Sequence, residues 1–220
     1  MNGTTDIRAI DVHAHLGPCR GGRNPTLDRF RSIDVDLLTA RACTARVSLT
    51  IVSHLECLFP RGHADVIEGN RKAIQAVRGR DDLLMWAVLN PLLPDSFDQA
   101  RELLQHPRCA GLKIHPEEHE YPIAERGSRV FEFAAAHKAI VLSHSGEPNS
   151  MPGDVLSAAA AFPEVAVILA HLGCGWDGDP THQVRAVQAA GLPNVYVDTS
   201  SAMNVTPSVR GGRIENRPAV

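Results

Sequence analysis

Short runs rich in valine, isoleucine, leucine and alanine recur along the chain, each closing on a polar residue followed by glycine, proline or another loop former. Such runs predict strands buried on both faces that feed loops. They occupy residues 8–15, 46–54, 83–90, 110–115, 139–144, 165–171 and 195–200. Between them, apolar residues recur at helical spacing over 34–42, 64–77, 97–104, 129–137, 154–161 and 183–190, with Ser96 as the predicted N-cap of the third helix. Strand starts advance by about 31 residues per step, the size of one βα unit. The alternation predicts an α/β fold with a parallel sheet. Two architectures share it, an open doubly wound sheet and a closed (β/α)8 barrel, and both place functional groups at the C-terminal ends of strands.

An open nucleotide-binding sheet usually carries a glycine-rich phosphate loop after its first strand. Here that strand runs into His13, Ala14, His15, Leu16, Gly17 and Pro18, with neither GxGxxG nor GxxxxGK[ST]. The barrel is therefore favoured. No linker or low-complexity segment interrupts residues 1–203, so one barrel domain is expected there. Residues 204–220, with two Pro, two Gly and three Arg and no convincing apolar run, read as an irregular or disordered tail.

Composition narrows the function classes. Hydrophobic residues make up 44% and charged residues 21% of the 220, as in globular domains. Lysine and arginine number 22 against 25 acidic residues, a formal charge of −3, so neither nucleic acid nor an anionic membrane is an expected partner. The five cysteines are odd in number and dispersed, without a CxxC pair, which suits a reducing compartment. The first ten residues lack the basic flank and apolar run of a signal peptide, and no apolar stretch approaches the roughly 18 residues of a membrane span. A cytoplasmic location is expected. Histidine changes the picture most: eleven occur, more than Phe, Trp and Tyr together.

Those histidines gather at strand ends: His13 and His15 on the first, His54 on the second, His115 on the fourth, His144 on the fifth and His171 on the sixth, with Asn90, Lys113 and Asp198 at matching places. Residues two apart on a strand share a face, their Cα atoms about 6.6 Å apart, so His13 and His15 converge on one volume. Zinc-type ions bind imidazole nitrogen at about 2.0–2.1 Å and keep a position open in catalytic sites. His144 and His171 are the candidates for a further ligand from across a barrel. Histidines two apart also occur by chance, and strand-end histidines often serve packing. The conjunction of three such segments at the same ends of the predicted units, with His115, His144 and His171 following one another at about one unit, is what points to a metal.

DVHAHLG at 11–17, GLKIHP at 111–116, VLSHSG at 141–146, ILAHLG at 168–173 and VYVDTS at 195–200 follow one another as in the amidohydrolase superfamily. The chain resembles the branch that includes aminocarboxymuconate-semialdehyde decarboxylase, over about residues 6–203. The resemblance implies a TIM barrel binding one divalent metal, commonly Zn2+, at its C-terminal mouth, with His13, His15 and His144 as metal ligands and His171 as the catalytic residue. It implies a hydrolase acting on a small-molecule substrate through a metal-activated water, in which His171 moves protons. Lys113 and His115 are assigned to substrate binding; a bridging carboxylated lysine, as in two-metal members, is the alternative for Lys113.

The family's eighth strand, with its metal-binding aspartate, has no counterpart after Ser200, so an incomplete barrel of seven strands and a truncated chain are expected. Such a barrel exposes the edges of its first and seventh strands, which homo-oligomerisation would cover. Asp198 is read as an ordinary seventh-strand residue or a substitute ligand, with Asp177, Asp179 and Glu147 as further loop candidates. Alternative functions are non-oxidative decarboxylation and a non-catalytic metal-binding remnant. Asp11 is expected to orient the first-strand histidines or to accept backbone donors. Cys174 and Trp176 are candidates for shaping the pocket. His54 is read as structural, and His63, His106, His119, His137 and His182 as surface residues.

Overall fold

A computed structural model of the chain describes residues 9–20, 25–173, 181–200, 208–210 and 213–215. Seven strands form one sheet in sequential order, every pair parallel: β1 (Ala9–Leu16), β2 (Val47–His54), β3 (Leu83–Val88), β4 (Cys109–Ile114), β5 (Val141–Ser143), β6 (Val167–Leu169) and β7 (Val195–Val197). The helices between them are α1 (Pro25–Arg31), α2 (Val35–Thr44), α3 (Val66–Val77), α4 (Pro94–Leu103), α5 (Ile123–His137), α6 (Pro152–Ala161) and α7 (Thr181–Ala190). The sheet curls into a TIM-barrel-like α/β fold, and no eighth strand joins it among the described residues. Within the expected tail, β8 (Ser208–Arg210) and β9 (Arg213–Glu215) pair antiparallel as a separate two-stranded ribbon.

Strand alternation sorts side chains into two layers. Outward-facing Ala87, Leu112, Ile114, Val141, Val167 and Leu169 pack with Val130, Phe131, Ala134 and Leu156 of α5 and α6. On the other flank, Ala14, Leu16, Leu83 and Met85 meet Ala73 and Val77 of α3. The barrel interior is filled by Ile51, Trp86, Leu142 and Ala170, with Val12, Leu84, Ala110 and Ile168 against them. Gly111 makes room for the indole: a Cβ there would lie 2.6 Å from the Ile140 carbonyl oxygen and 2.9 Å from Trp86.

Two local expectations are corrected. Ser96 lies inside α4, which begins at Pro94 after Leu93; its hydroxyl donates to the carbonyls of Leu93 and Asn90 instead of capping. The proline at the first position supplies the helical φ without a free N–H. Helix α5 starts at Ile123, six residues before the predicted 129, because Pro122 and buried Ile123 and Gly127 seat its first turns on the core.

Candidate metal centre

His13 and His15 come from β1, Lys113 from β4, His115 from the loop after β4, His144 after β5, His171 after β6, and Asp198 and Ser200 after β7. Their rings form a continuous set at one mouth of the sheet. Ring centroids lie 5.2 Å apart for His13 and His15, 4.8 Å for His13 and His171, and 5.1 Å for His144 and His171. His115 stacks on His144 at 3.8 Å with ring planes 12° apart. Among the described residues, His13, His171 and Asp198 bring ligand atoms within 4.8 Å of one another. The sequence reading set Asp198 lower, and it expected His13 to share the ion with His15 and His144.

Asp198 is the hub of this arrangement. Its Oδ2 accepts from His13 Nδ1 at 2.9 Å. Its Oδ1 accepts the backbone N–H groups of His171 and Ser200, each at 2.9 Å, and the Ser200 hydroxyl. Burial pushes the carboxyl's pKa up, but the hydrogen bond and charge of His13 and the bonds from Ser200 and His171 outweigh it and hold Asp198 well below the usual carboxylate range. It is an anion. The same contacts hold His171 and Leu172 in the left-handed region, with φ of 61° and 53°: the Leu172 N–H donates to the Asp198 carbonyl at 2.8 Å. Left-handed conformations at two successive non-glycine residues cost on the order of 1–2 kcal/mol each, so the turn depends on those bonds.

The imidazoles are neutral. Burial and then the charge of Lys113 push His13 down to about 3. Burial and neighbouring His144 bring His171 to about 4, and burial lowers His15, His115 and His144 as well. A neutral His13 that donates from Nδ1 to Asp198 keeps a lone pair on Nε2, and Lys113 Nζ lies 3.1 Å from that atom. Lys113 is fully buried, and burial lowers its amine to about 7. His171 Nδ1 donates to the Ser200 carbonyl at 3.0 Å, which leaves its Nε2 as the acceptor. His15 Nδ1 meets the Ser53 hydroxyl at 2.9 Å, and His144 Nε2 donates to Glu147 at 2.5 Å. Glu147, one of three loop acids named from sequence, thus contacts the expected ligand His144.

Other sequence-named residues also find places. Asp11 accepts the backbone N–H of His13 at 3.0 Å. His54 Nδ1 accepts from Glu56 N–H and caps the 3-10 turn Leu55–Cys57, a structural role. His119, read as a surface residue, is buried, and its Nε2 donates to the Cys57 carbonyl at 2.8 Å because the loop after β4 folds against that turn. Cys174, Trp176, Asp177 and Asp179 lie outside the described residues.

The chain matches the family described as amidohydrolase over residues 10–214. No curated protein matches it. Among solved structures, an amidohydrolase from Burkholderia multivorans with bound zinc superimposes with a TM-score of 0.66 at 14% identity, covering 88% of this chain and 69% of its own. Amidohydrolase 2 from Bifidobacterium longum subsp. infantis gives 0.56 at 20% identity, covering 87% and 72%. A 4-oxalomesaconate hydratase from Rhodopseudomonas palustris gives 0.54 at 17% identity, covering 87% and 74%. At these identities the structural likeness speaks for the fold.

Proposed function

This chain belongs to the amidohydrolase family, and from that premise we propose that it is a metal-dependent hydrolase of a small organic substrate. The observation that carries the reading is the His13, His171 and Asp198 cluster, two buried neutral imidazoles and an ionised carboxylate within 4.8 Å of one another. Around that cluster the imidazole donors for a divalent ion of the zinc type are His13 with the flanking His15 and His144, while Asp198 orients His13 and His171 is left to move protons. The zinc in the Burkholderia neighbour supports the choice of ion. His15 and His144 flank the cluster and complete the ligand candidates. A divalent ion there would polarise a substrate carbonyl and bring the pKa of water toward about 7.

The chain's own groups supply the rest. Asp198 fixes the His13 ring through Nδ1, so that Nε2 is aimed. His171, with Nδ1 engaged by the Ser200 carbonyl, presents Nε2 as an acceptor that takes a proton during reaction and returns it to the leaving group. Lys113 and His115 are the substrate-side groups, the lysine offering a donor for a carbonyl or carboxylate oxygen. The dispersed, free Cys19, Cys43, Cys57 and Cys109 support a reducing, cytoplasmic location, and no described helix is long and apolar enough to cross a membrane.

A second reading, ion binding without turnover, is favoured by the sheet, which ends at β7 and brings no eighth-strand carboxylate to the mouth among the described residues. The two readings separate in one experiment. Purified chain is measured for bound metal and for cleavage of a panel of esters, lactones and amides, with carbon dioxide release followed in parallel. The hydrolase reading expects one zinc per chain and cleavage that is lost in His171→Ala and Asp198→Ala. Zinc bound without cleavage of any substrate would favour the second reading, and a chain that binds no zinc would defeat both.

A further inference from the structure

Strict alternation along a strand would put Val12 and His13 on opposite faces of the sheet. Both face the barrel interior. Val12 packs against Ile51 and Trp86, while His13 meets Lys113 and Asp198. Ala14 and Leu16, beyond them, belong to the outer layer. The register explains this: Asp11 pairs with Thr50 and Ala14 with Val52, so β1 spends three steps where β2 spends two, and neither Val12 nor His13 has a partner on β2. This is a β-bulge, a device that re-aims a side chain and takes backbone groups out of the ladder.

The bulge's backbone is held by two side chains. The His13 N–H donates to Asp11 Oδ1 at 3.0 Å, and the Val12 carbonyl accepts from the Trp86 indole N–H at 2.8 Å. Trp86 reaches β1 from β3 across the interior and is itself fixed by burial and by the gap at Gly111. Buried backbone polar groups left without partners cost enough that a bulge lacking these two bonds would tend to slip back into register. A slip of one residue beyond Asp11 would turn His13, and His15 in step with it, to the helix side and out of the cluster.

We infer that Asp11 and Trp86 are positioning residues for the metal centre: together they clamp the β1 bulge and so aim His13. The inference rests on the metal-centre reading above, and it assigns a task to a tryptophan that lies outside the His13, His171 and Asp198 cluster.

The test measures zinc affinity by competition with a chromophoric chelator, together with hydrogen exchange of the His13 amide in metal-free chain. Asp11→Ala and Trp86→Phe, which keeps an aromatic ring but no N–H, should each weaken zinc binding about 10–100-fold, the scale of losing a partner that orients a ligand. Asp11→Asn, which keeps an acceptor oxygen, should stay within about threefold of wild type. A merely structural role would lower the melting temperature and leave the affinity of the folded chain unchanged, and that result would overturn the clamp. If Trp86→Phe does not fold, Asp11→Ala against Asp11→Asn decides. If wild-type chain binds no zinc, the metal reading fails, and exchange at the His13 amide decides the clamp: faster in Asp11→Ala upholds it, unchanged overturns it.

Discussion

Strands β1 and β2 run eight residues each and are backed by α3, whereas β6 and β7 run three residues each, and β7 leaves Tyr196 57% exposed and Val197 exposed beside it. The candidate centre straddles these unequal regions. His13, His15 and Lys113 project from the long-stranded side, while Asp198, Ser200 and the left-handed turn at His171 stand on the short-stranded one. The first group is held by packing around β2 to β4 and, at His13, by the hydrogen bonds of Asp11 and Trp86. The second is held largely by hydrogen bonds to Asp198, so the geometry of the site depends on the region that buries least.

The largest expected effect lies on the packed side. Trp86→Ala empties the middle of the barrel and should destabilise the chain by about 3–5 kcal/mol, read from denaturant unfolding. A loss under about 1 kcal/mol would mean that the interior is less tightly filled than described. Asp198→Asn should cost about 2–3 kcal/mol, because donors that converge on a carboxylate lose a charged acceptor. The same variant should raise proteolytic cleavage within 167–200 far more than within 47–88. Equal protection of both segments would erase the contrast.

Acid and base should separate the histidines from the lysine. Folded His13 and His171 sit at about 3 and 4, below the usual imidazole value of about 6.5, so the unfolded chain binds protons first and stability falls as pH drops through that window. Lys113, at about 7 against an unfolded value of about 10.4, makes stability rise between those values by the same sign rule. Lys113→Met should flatten the upper window, removing on the order of 2 kcal/mol of pH dependence between pH 7 and 9, and leave the lower one in place. At the small end, Tyr196→Thr on the exposed face of β7 should change stability by less than about 0.5 kcal/mol.

Much of this was legible in sequence because the buried parallel strands are uninterrupted apolar runs, each ended by the polar residue that reaches the mouth. The pairs His13 with His15 and Lys113 with His115 follow from alternation alone, and all six sequence-named site residues come from the mouth-side ends of β1, β4, β5 and β6 and the loops that follow. The bulge at Val12 and His13 left no trace, since it depends on register with β2. The contact between Asp198 and His13 is not visible in sequence, because the two lie 185 residues apart and only the curl of the sheet brings them together. His119 was misread for a related reason: a loop residue is buried here by another loop, and neither carries a periodic pattern.

The central claim is that a cation held from β1 also orders the end of β7, through the bond from His13 to Asp198. Hydrogen exchange of the segment 195–200, with and without zinc, tests it most directly. The account predicts that zinc slows exchange there in wild-type chain and has no effect in His13→Ala. Zinc protection that survives in His13→Ala, or exchange indifferent to zinc in wild-type chain that binds it, would contradict the claim.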